Sequence, residues 1–231
     1  MSPDVTPVPL RCVLFDLDGT LADTAPDLGG AANDLLAELG QPPLPLARYR
    51  PECSKGGRGM LAVALERKPG DPDYESLRSR YLELYAARLD RETRLFPGVE
   101  ALLDHLQACH IAFGIVTNKP MQYTAPVTGA LGLAARTPCI IGGDSAPRPK
   151  PAPDPLLMAC TQLKIDPAEA LYVGDDERDV QAGRAAGTRV AAAAWGYVAT
   201  GADPSTWNAD AVLDDLPALR RLVDHLRATE V

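Results

Sequence analysis

Two aspartates two residues apart follow an apolar run near the start of the chain, in Phe15-Asp16-Leu17-Asp18-Gly19-Thr20. Side chains alternate along an extended chain, so Asp16 and Asp18 are directed to one side of it. Gly19 permits the turn that follows, and Thr20 brings a hydroxyl close to it. Other short apolar runs also end on reactive groups. Residues 111–116 lead into Thr117-Asn118-Lys119, where Thr117 offers a hydroxyl donor. Residues 171–173 lead into Gly174-Asp175-Asp176, with Asp179 one helical turn later. Between them lies Pro147-Arg148-Pro149-Lys150-Pro151, a stiff stretch suited to holding one ammonium in place.

If these ends converge, Asp16, Asp18, Asp175, Asp176 and Asp179 crowd one site. Two like charges 4 Å apart repel by about 4 kcal/mol at an effective dielectric near 20. Such a gathering needs a cation, a shared proton, or both. Oxygen ligands favour a hard ion, and Mg²⁺ is the usual one where phosphate supplies a further ligand. Lys150 offsets part of the remaining charge. For a single residue the plainer role is structural: Asp175 or Asp176 alone reads equally well as a helix N-cap.

The elements that must position these groups alternate. Strands are expected at Cys12–Phe15, 111–116, 139–141, 171–173, 190–194 and Ala211–Leu213, with helices at 98–108, 123–131, Asp154–Leu163 and 176–186. The pattern predicts an α/β fold, a Rossmann-like doubly wound parallel sheet with helices on both faces. Ligands in such sheets bind beyond the carboxyl ends of the strands. Residues 26–95 break the alternation. Leu28, Ala31, Ala32, Leu35, Leu36 and Leu39 recur at helical spacing, and Leu77, Tyr81, Leu84, Tyr85 and Leu89 form a second apolar stripe. Prolines and glycines separate the two. The expected organisation is therefore a catalytic core of residues 1–25 and 96–231 with a small helical cap domain at 26–95. One continuous α/β domain with extra helices is the alternative.

Composition narrows the function. The 231 residues are 46% hydrophobic, enough for a packed core, and carry a net charge of -8. That acidic balance argues against nucleic-acid binding. No run approaches the length of a membrane span, and the Pro-rich start at residues 1–10 reads as a loose arm without a signal peptide. Five cysteines with no CxxC pair read as reduced core thiols in a cytoplasmic protein. Nothing in the sequence distinguishes a monomer from a homodimer. His105, His110 and His225 read as structural residues.

The four strand-end signals, in this order, resemble the haloacid dehalogenase superfamily. Asp16–Thr20 looks like its first motif, Thr117 the second, Lys150 the third, and Gly174-Asp175-Asp176 with Asp179 the fourth. The resemblance implies that Asp16 is a nucleophile forming an aspartyl-phosphate, and that Asp18 is the acid and base. It also implies a Mg²⁺ ion on the Asp16 carboxylate, the Asp18 carbonyl and Asp175. Thr117 and Lys150 would bind the phosphoryl group, with the backbone N–H groups of Leu17 and Asn118 as further donors. Asp176 and Asp179 would orient Lys150 or metal-bound water. An acid at position 18 favours phosphate esters over halides, because a halide leaves without a proton.

Within the superfamily, Phe96-Pro97-Gly98, Val116-Thr117-Asn118-Lys119 and Trp195-Gly196-Tyr197 are similar to the phosphoglycolate phosphatase family. The segment Ser54-Lys55-Gly56-Gly57-Arg58-Gly59-Met60 resembles the cap loop of members acting on N-acetylmuramic acid 6-phosphate in cell-wall recycling. Lys55, Gly57 and Arg58 are thus candidate contacts to the leaving group, ahead of a helix at 60–66. The expected partner is a small phosphorylated metabolite. Phosphoglycolate hydrolysis and a sugar phosphomutase activity are the alternatives.

Overall fold

The computed structural model describes residues 8–228, so most of the N-terminal arm lies outside the described residues. Six parallel strands form one sheet: β1 (Cys12–Phe15), β4 (Ala112–Val116), β5 (Ile140–Ile141), β6 (Ala170–Gly174), β7 (Arg189–Ala193) and β8 (Ala211–Leu213), in the order β5-β4-β1-β6-β7-β8. Two more strands, β2 (Ala22–Asp23) and β3 (Arg94–Leu95), pair separately and antiparallel. The chain builds outward from β1 on one side through β4 and β5, then crosses back to lay β6 on the other. Phe15 faces Ile115 on one neighbour and Val173 on the other. This reversal opens a crevice at the carboxyl end of β1, where ligands of doubly wound sheets bind.

All four residues of β1 are buried, as a strand covered on both faces requires. Val13 and Phe15 share a core with α5 (Val99–Ala108) and α9 (Leu216–Ala228). Cys12 and Leu14 meet α7 (Asp154–Leu163) and α8 (Glu177–Ala186) on the opposite face. A further helix, α6 (Met121–Ala130), follows β4. The expected strands are all present, with ends displaced by a residue or two. All five cysteines are free, and four of them are buried. No helix among the described residues is long and apolar enough to cross a membrane.

Between β2 and β3 come α1 (Ala25–Glu38), α2 (Leu46–Tyr49), a tight 3₁₀ segment (Arg50–Lys55), α3 (Gly56–Leu65) and α4 (Tyr74–Ala86). Leu28, Ala31, Ala32, Leu35 and Leu36 are buried, as the spacing predicts, but Leu39 is exposed. It follows the last turn of α1, where the backbone leaves helical geometry and the stripe no longer faces the core. α3 begins at Gly56, four residues before the expected start at 60. Its early turn packs against α4: a Cβ on Gly57 would sit 3.0 Å from the Tyr81 ring. Gly57 therefore serves helix packing as well as lining the cavity described below.

Entry to and exit from this insert are tied together. Ala22 faces Leu95 and Asp23 faces Arg94 in the β2–β3 ladder. Asp27, wholly buried at the start of α1, accepts hydrogen bonds from the Glu92 N–H (3.0 Å), the Thr93 N–H (2.8 Å) and the Thr93 hydroxyl (2.8 Å). Asp23 receives two bonds from Arg50 (3.0 and 2.7 Å) and one from the Tyr197 hydroxyl (2.7 Å).

Candidate active site

The carboxyl ends of β1, β4 and β6 meet where the sheet reverses. Asp16 follows β1, its N–H bonded to the Val173 carbonyl at 2.9 Å. The chain then turns tightly, with the N–H groups of Thr20, Leu21 and Ala22 all directed to the Leu17 carbonyl. Gly19 makes this possible. It has a φ of +85°, and a Cβ there would lie 2.0 Å from an Asp175 carboxylate oxygen. Asp175 is held by the Tyr197 N–H at 2.6 Å and the Thr20 hydroxyl at 3.3 Å.

Carboxylate oxygens of Asp16, Asp175 and Asp179 lie within 4.8 Å of one another. Burial pushes Asp16 up to about 6, against the pull of the Lys150 ammonium. Burial, reinforced by the charges of Asp16 and Asp179, raises Asp175 well above the usual carboxylate range. One Asp16 oxygen is buried with no hydrogen-bond partner, although Lys150 Nζ is 3.0 Å away. The same ammonium also bonds the Val116 carbonyl (3.0 Å), the Tyr172 hydroxyl (2.7 Å) and Asp179 (2.7 Å). An all-oxygen donor set built from clustered, buried carboxylates fits a hard divalent cation.

Several expected residues take positions of their own. Thr117 is buried at the end of β4, beside the cavity. The side chain of Asn118 clamps the loop of Lys150 in both directions, donating to its carbonyl and accepting from its N–H at 2.9 Å each. Lys150, expected to bind a phosphoryl group, stands beside Asp16 and is held there by the Val116 carbonyl, the Tyr172 hydroxyl and Asp179. Asp176, expected to orient Lys150 or a water, caps α8, binds Arg178 at 2.7 and 3.0 Å and lines the cavity described below. The attraction of Arg178 holds its carboxyl below the usual range despite partial burial. The N-cap role open to this residue is thus present. Asp179, in contrast, faces Lys150 directly.

A cavity of about 330 Å³ lies between this centre and the inserted helices. Lys55, Gly57 and Arg58 line it, with Lys55 held to Glu52 at 2.7 Å. Arg58 has no hydrogen-bond or ion-pair partner among the described residues. Three features of this cavity lie outside the sequence motifs. Lys119 is buried and binds both oxygens of Asp18, at 2.9 and 3.0 Å. Burial alone would lower its pKa, but the Asp18 charge raises it instead. Arg178 reaches the Ser54 carbonyl at 2.7 Å and so bridges the core to the insert. Tyr81, Tyr85 and Tyr123 form an aromatic wall. Lys119 stands two residues beyond Thr117, which is the signal that could have marked it. Tyr85 carries no such mark.

A doubly wound sheet whose reversal point gathers buried aspartates and a lysine, covered by an inserted helical unit, defines a class of hydrolase. The model of the haloacid dehalogenase-like hydrolase family matches residues 13–193, and the chain belongs to that family. The N-acetylmuramic acid 6-phosphate phosphatase of Pseudomonas putida is 42% identical over 215 residues, spanning 93% of this chain and 96% of its own. The phosphoglycolate phosphatase of Xanthomonas campestris pv. campestris is 44% identical over 209 residues, spanning 90% and 94%. A crystal structure titled a predicted phosphoglycolate phosphatase, from Haemophilus somnus, superposes with a TM-score of 0.79 at 26% identity, over 95% of this chain and 98% of that one. The chain is a phosphatase acting on phosphorylated substrates.

Proposed function

We propose that the chain hydrolyses a small phosphorylated sugar acid, N-acetylmuramic acid 6-phosphate being the best candidate, through an aspartyl-phosphate on Asp16. The observation that carries this reading is the Asp16 carboxylate, buried beside the Lys150 ammonium, at the floor of a cavity that Lys55, Gly57 and Arg58 line from the insert. An Asp16 oxygen attacks phosphorus, and the bond from phosphorus to the ester oxygen breaks. Asp18 gives that oxygen its proton, then takes one from the water that attacks the phosphorylated Asp16. Inorganic phosphate leaves and the Asp16 carboxylate is restored. Thr117 and the N–H groups of Leu17 and Asn118 bind the phosphoryl oxygens.

Asp16, the Asp18 carbonyl and Asp175 are the residues that would hold Mg²⁺. When bound, the ion supplies charge neutralisation for the phosphoryl group. Lys150 lowers the charge beside Asp16, with Asp179 fixing its ammonium. Residues 26–95 act as a cap over the core formed by the residues on either side. Lys55, Gly57 and Arg58 face the leaving group there, and the unpaired Arg58 suits a carboxylate on it.

The test is phosphate release from N-acetylmuramate 6-phosphate, 2-phosphoglycolate and p-nitrophenyl phosphate by the wild type and by Asp16→Asn. The sugar acid should give the highest kcat/KM, and the variant should fold normally with no turnover. Measurable turnover by Asp16→Asn would remove Asp16 as nucleophile. A rearranged sugar without free phosphate would indicate a mutase instead.

A further inference from the structure

Arg178 is the second residue of α8, between the acidic centre and the insert. Its Nε and one Nη meet the two oxygens of Asp176, at 2.7 and 3.0 Å, so the core holds the planar fork in one orientation. That same Nη carries two protons, and it also donates to the Ser54 carbonyl at 2.7 Å. The Ser54 hydroxyl donates to the Tyr197 carbonyl at 3.4 Å, and the Tyr197 N–H in turn holds Asp175. Ser54 is therefore fastened both to α8, which carries Asp179, and to the loop that fixes Asp175. It lies near the end of the 3₁₀ segment, and the chain turns two residues later at Gly56, with a φ of +56°. A Cβ there would meet open space, so the backbone conformation alone calls for glycine. Lys55, Gly56, Gly57 and Arg58 line the cavity from this turn.

We propose that Arg178 is a positioning residue: by docking Ser54 onto α8, it sets residues 55–58 against the leaving group. A hydrogen bond from a guanidinium to a carbonyl is charge-assisted and stronger than a neutral one. Asp176 fixes the donor beforehand, so little side-chain freedom is lost when Ser54 docks. Arg58 comes four positions after Ser54, and the glycine turn between them offers little resistance to drift. Without the bond the segment can shift, and a displacement of about 1 Å is enough to impair a substrate contact. The phosphoryl group is bound by residues of the core, so such a shift leaves it in place. Arg178 thus governs recognition of the leaving group and not the chemistry at phosphorus. The proposal rests on the reading of Lys55, Gly57 and Arg58 as contacts to the leaving group.

The wild type, Arg178→Ala, Arg58→Ala and the double variant are compared by kcat/KM on N-acetylmuramate 6-phosphate and p-nitrophenyl phosphate. Amide hydrogen exchange of the wild type and Arg178→Ala adds a readout that needs no substrate. Arg178→Ala should lower kcat/KM for the sugar ester about tenfold, mainly through KM, as loss of one charge-assisted hydrogen bond implies. The aryl ester should change less than about twofold, because it offers the segment no sugar to contact. The double variant should lose little beyond the larger single loss, since both substitutions act through one segment. Exchange should quicken in residues 54–58 and stay unchanged in α8. An equal fall on both esters would mark a disturbed core. Fully additive losses would mean that Arg178 does not act through the segment, and unchanged exchange that it does not dock Ser54. Each of these results overturns the proposal. A wild type that cleaves the aryl ester but not the sugar ester overturns the substrate reading alone, and the exchange measurement still decides whether Arg178 docks the segment.

Discussion

Asn118 shows how much a single side chain contributes beyond its place in a motif. The sequence marks its backbone N–H as a donor to phosphate, whereas the structure engages its carboxamide with both backbone groups of Lys150. The ammonium beside Asp16 therefore depends on a residue 32 positions earlier in the chain. Asn118→Ala should lower kcat about ten- to a hundredfold, since small displacements of a charged group at a reacting centre cost that much. Asn118→Asp keeps the acceptor for the Lys150 N–H and loses the donor, so it should fall between wild type and alanine. Steady-state kinetics on p-nitrophenyl phosphate would check the order. A kcat for Asn118→Ala equal to that of the wild type would show that Lys150 is placed by its other contacts.

What the sequence made legible at this scale was local. Asp16, Asp18 and Asp175 are readable because each lies just beyond a strand end, where side chains face the crevice, and Asp179 because it stands in the first turn of the helix that follows β6. The pairing of Lys119 with Asp18 spans 101 positions, and nothing in spacing announces it. Tyr85 was hidden for another reason. Helical periodicity shows that a face is apolar, but it does not show that a cavity cuts into that face.

Among the elements, the ties at the root of α1 matter most. The Asp27 carboxylate is wholly buried, and one of its oxygens accepts three hydrogen bonds from Glu92 and Thr93, while the other faces Arg88 at 3.4 Å. Asp27→Asn can keep a carbonyl oxygen toward Thr93 only by turning its NH₂ toward the Arg88 guanidinium, donor against donor. The charge that strengthens these bonds is lost as well. Urea titration should show about 1.5–3 kcal/mol less stability, the range for hydrogen bonds to a charged group. A change under about 0.5 kcal/mol, typical of surface substitutions, would mean that the carboxylate is not what anchors the insert. The strands and helices themselves were legible because their apolar runs are short, regular and separated by proline and glycine. The β2–β3 ladder was not, because each of its strands has two residues and, of the four, Ala22 alone is buried.

For the molecule as a whole, the acidic centre predicts an unusual response to pH. Asp16 and Asp175 have raised folded-state values, so the metal-free folded chain binds more protons than the unfolded chain between the ordinary carboxylate value, about 4, and about 6. Stability of the metal-free protein should therefore fall as pH rises through that window. Asp176, held low by Arg178, acts in the opposite sense, and its contribution is lost only as pH drops below about 4. Mg²⁺ stabilises whichever form binds it, and ionised aspartates bind it better. Melting in EDTA should give a higher Tm near pH 5 than near pH 7.5, and added Mg²⁺ should raise Tm more at the higher pH. A metal-free Tm that climbs from pH 5 to 7.5 would contradict this account of the site.

The ladder joining β2 to β3 carries a further consequence. Ala22 and Leu95 sit opposite one another, and residues opposed in an antiparallel pair are about 5 Å apart. The chain thus departs from the core and returns to it at nearly the same point, as a graft does on a stem. A two-residue turn is enough to close such a gap as an ordinary hairpin. Seen this way, the helices over the cavity enter and leave by one doorway, so a change in their length need not alter the path of β1 or β6, the strands after which the clustered aspartates lie.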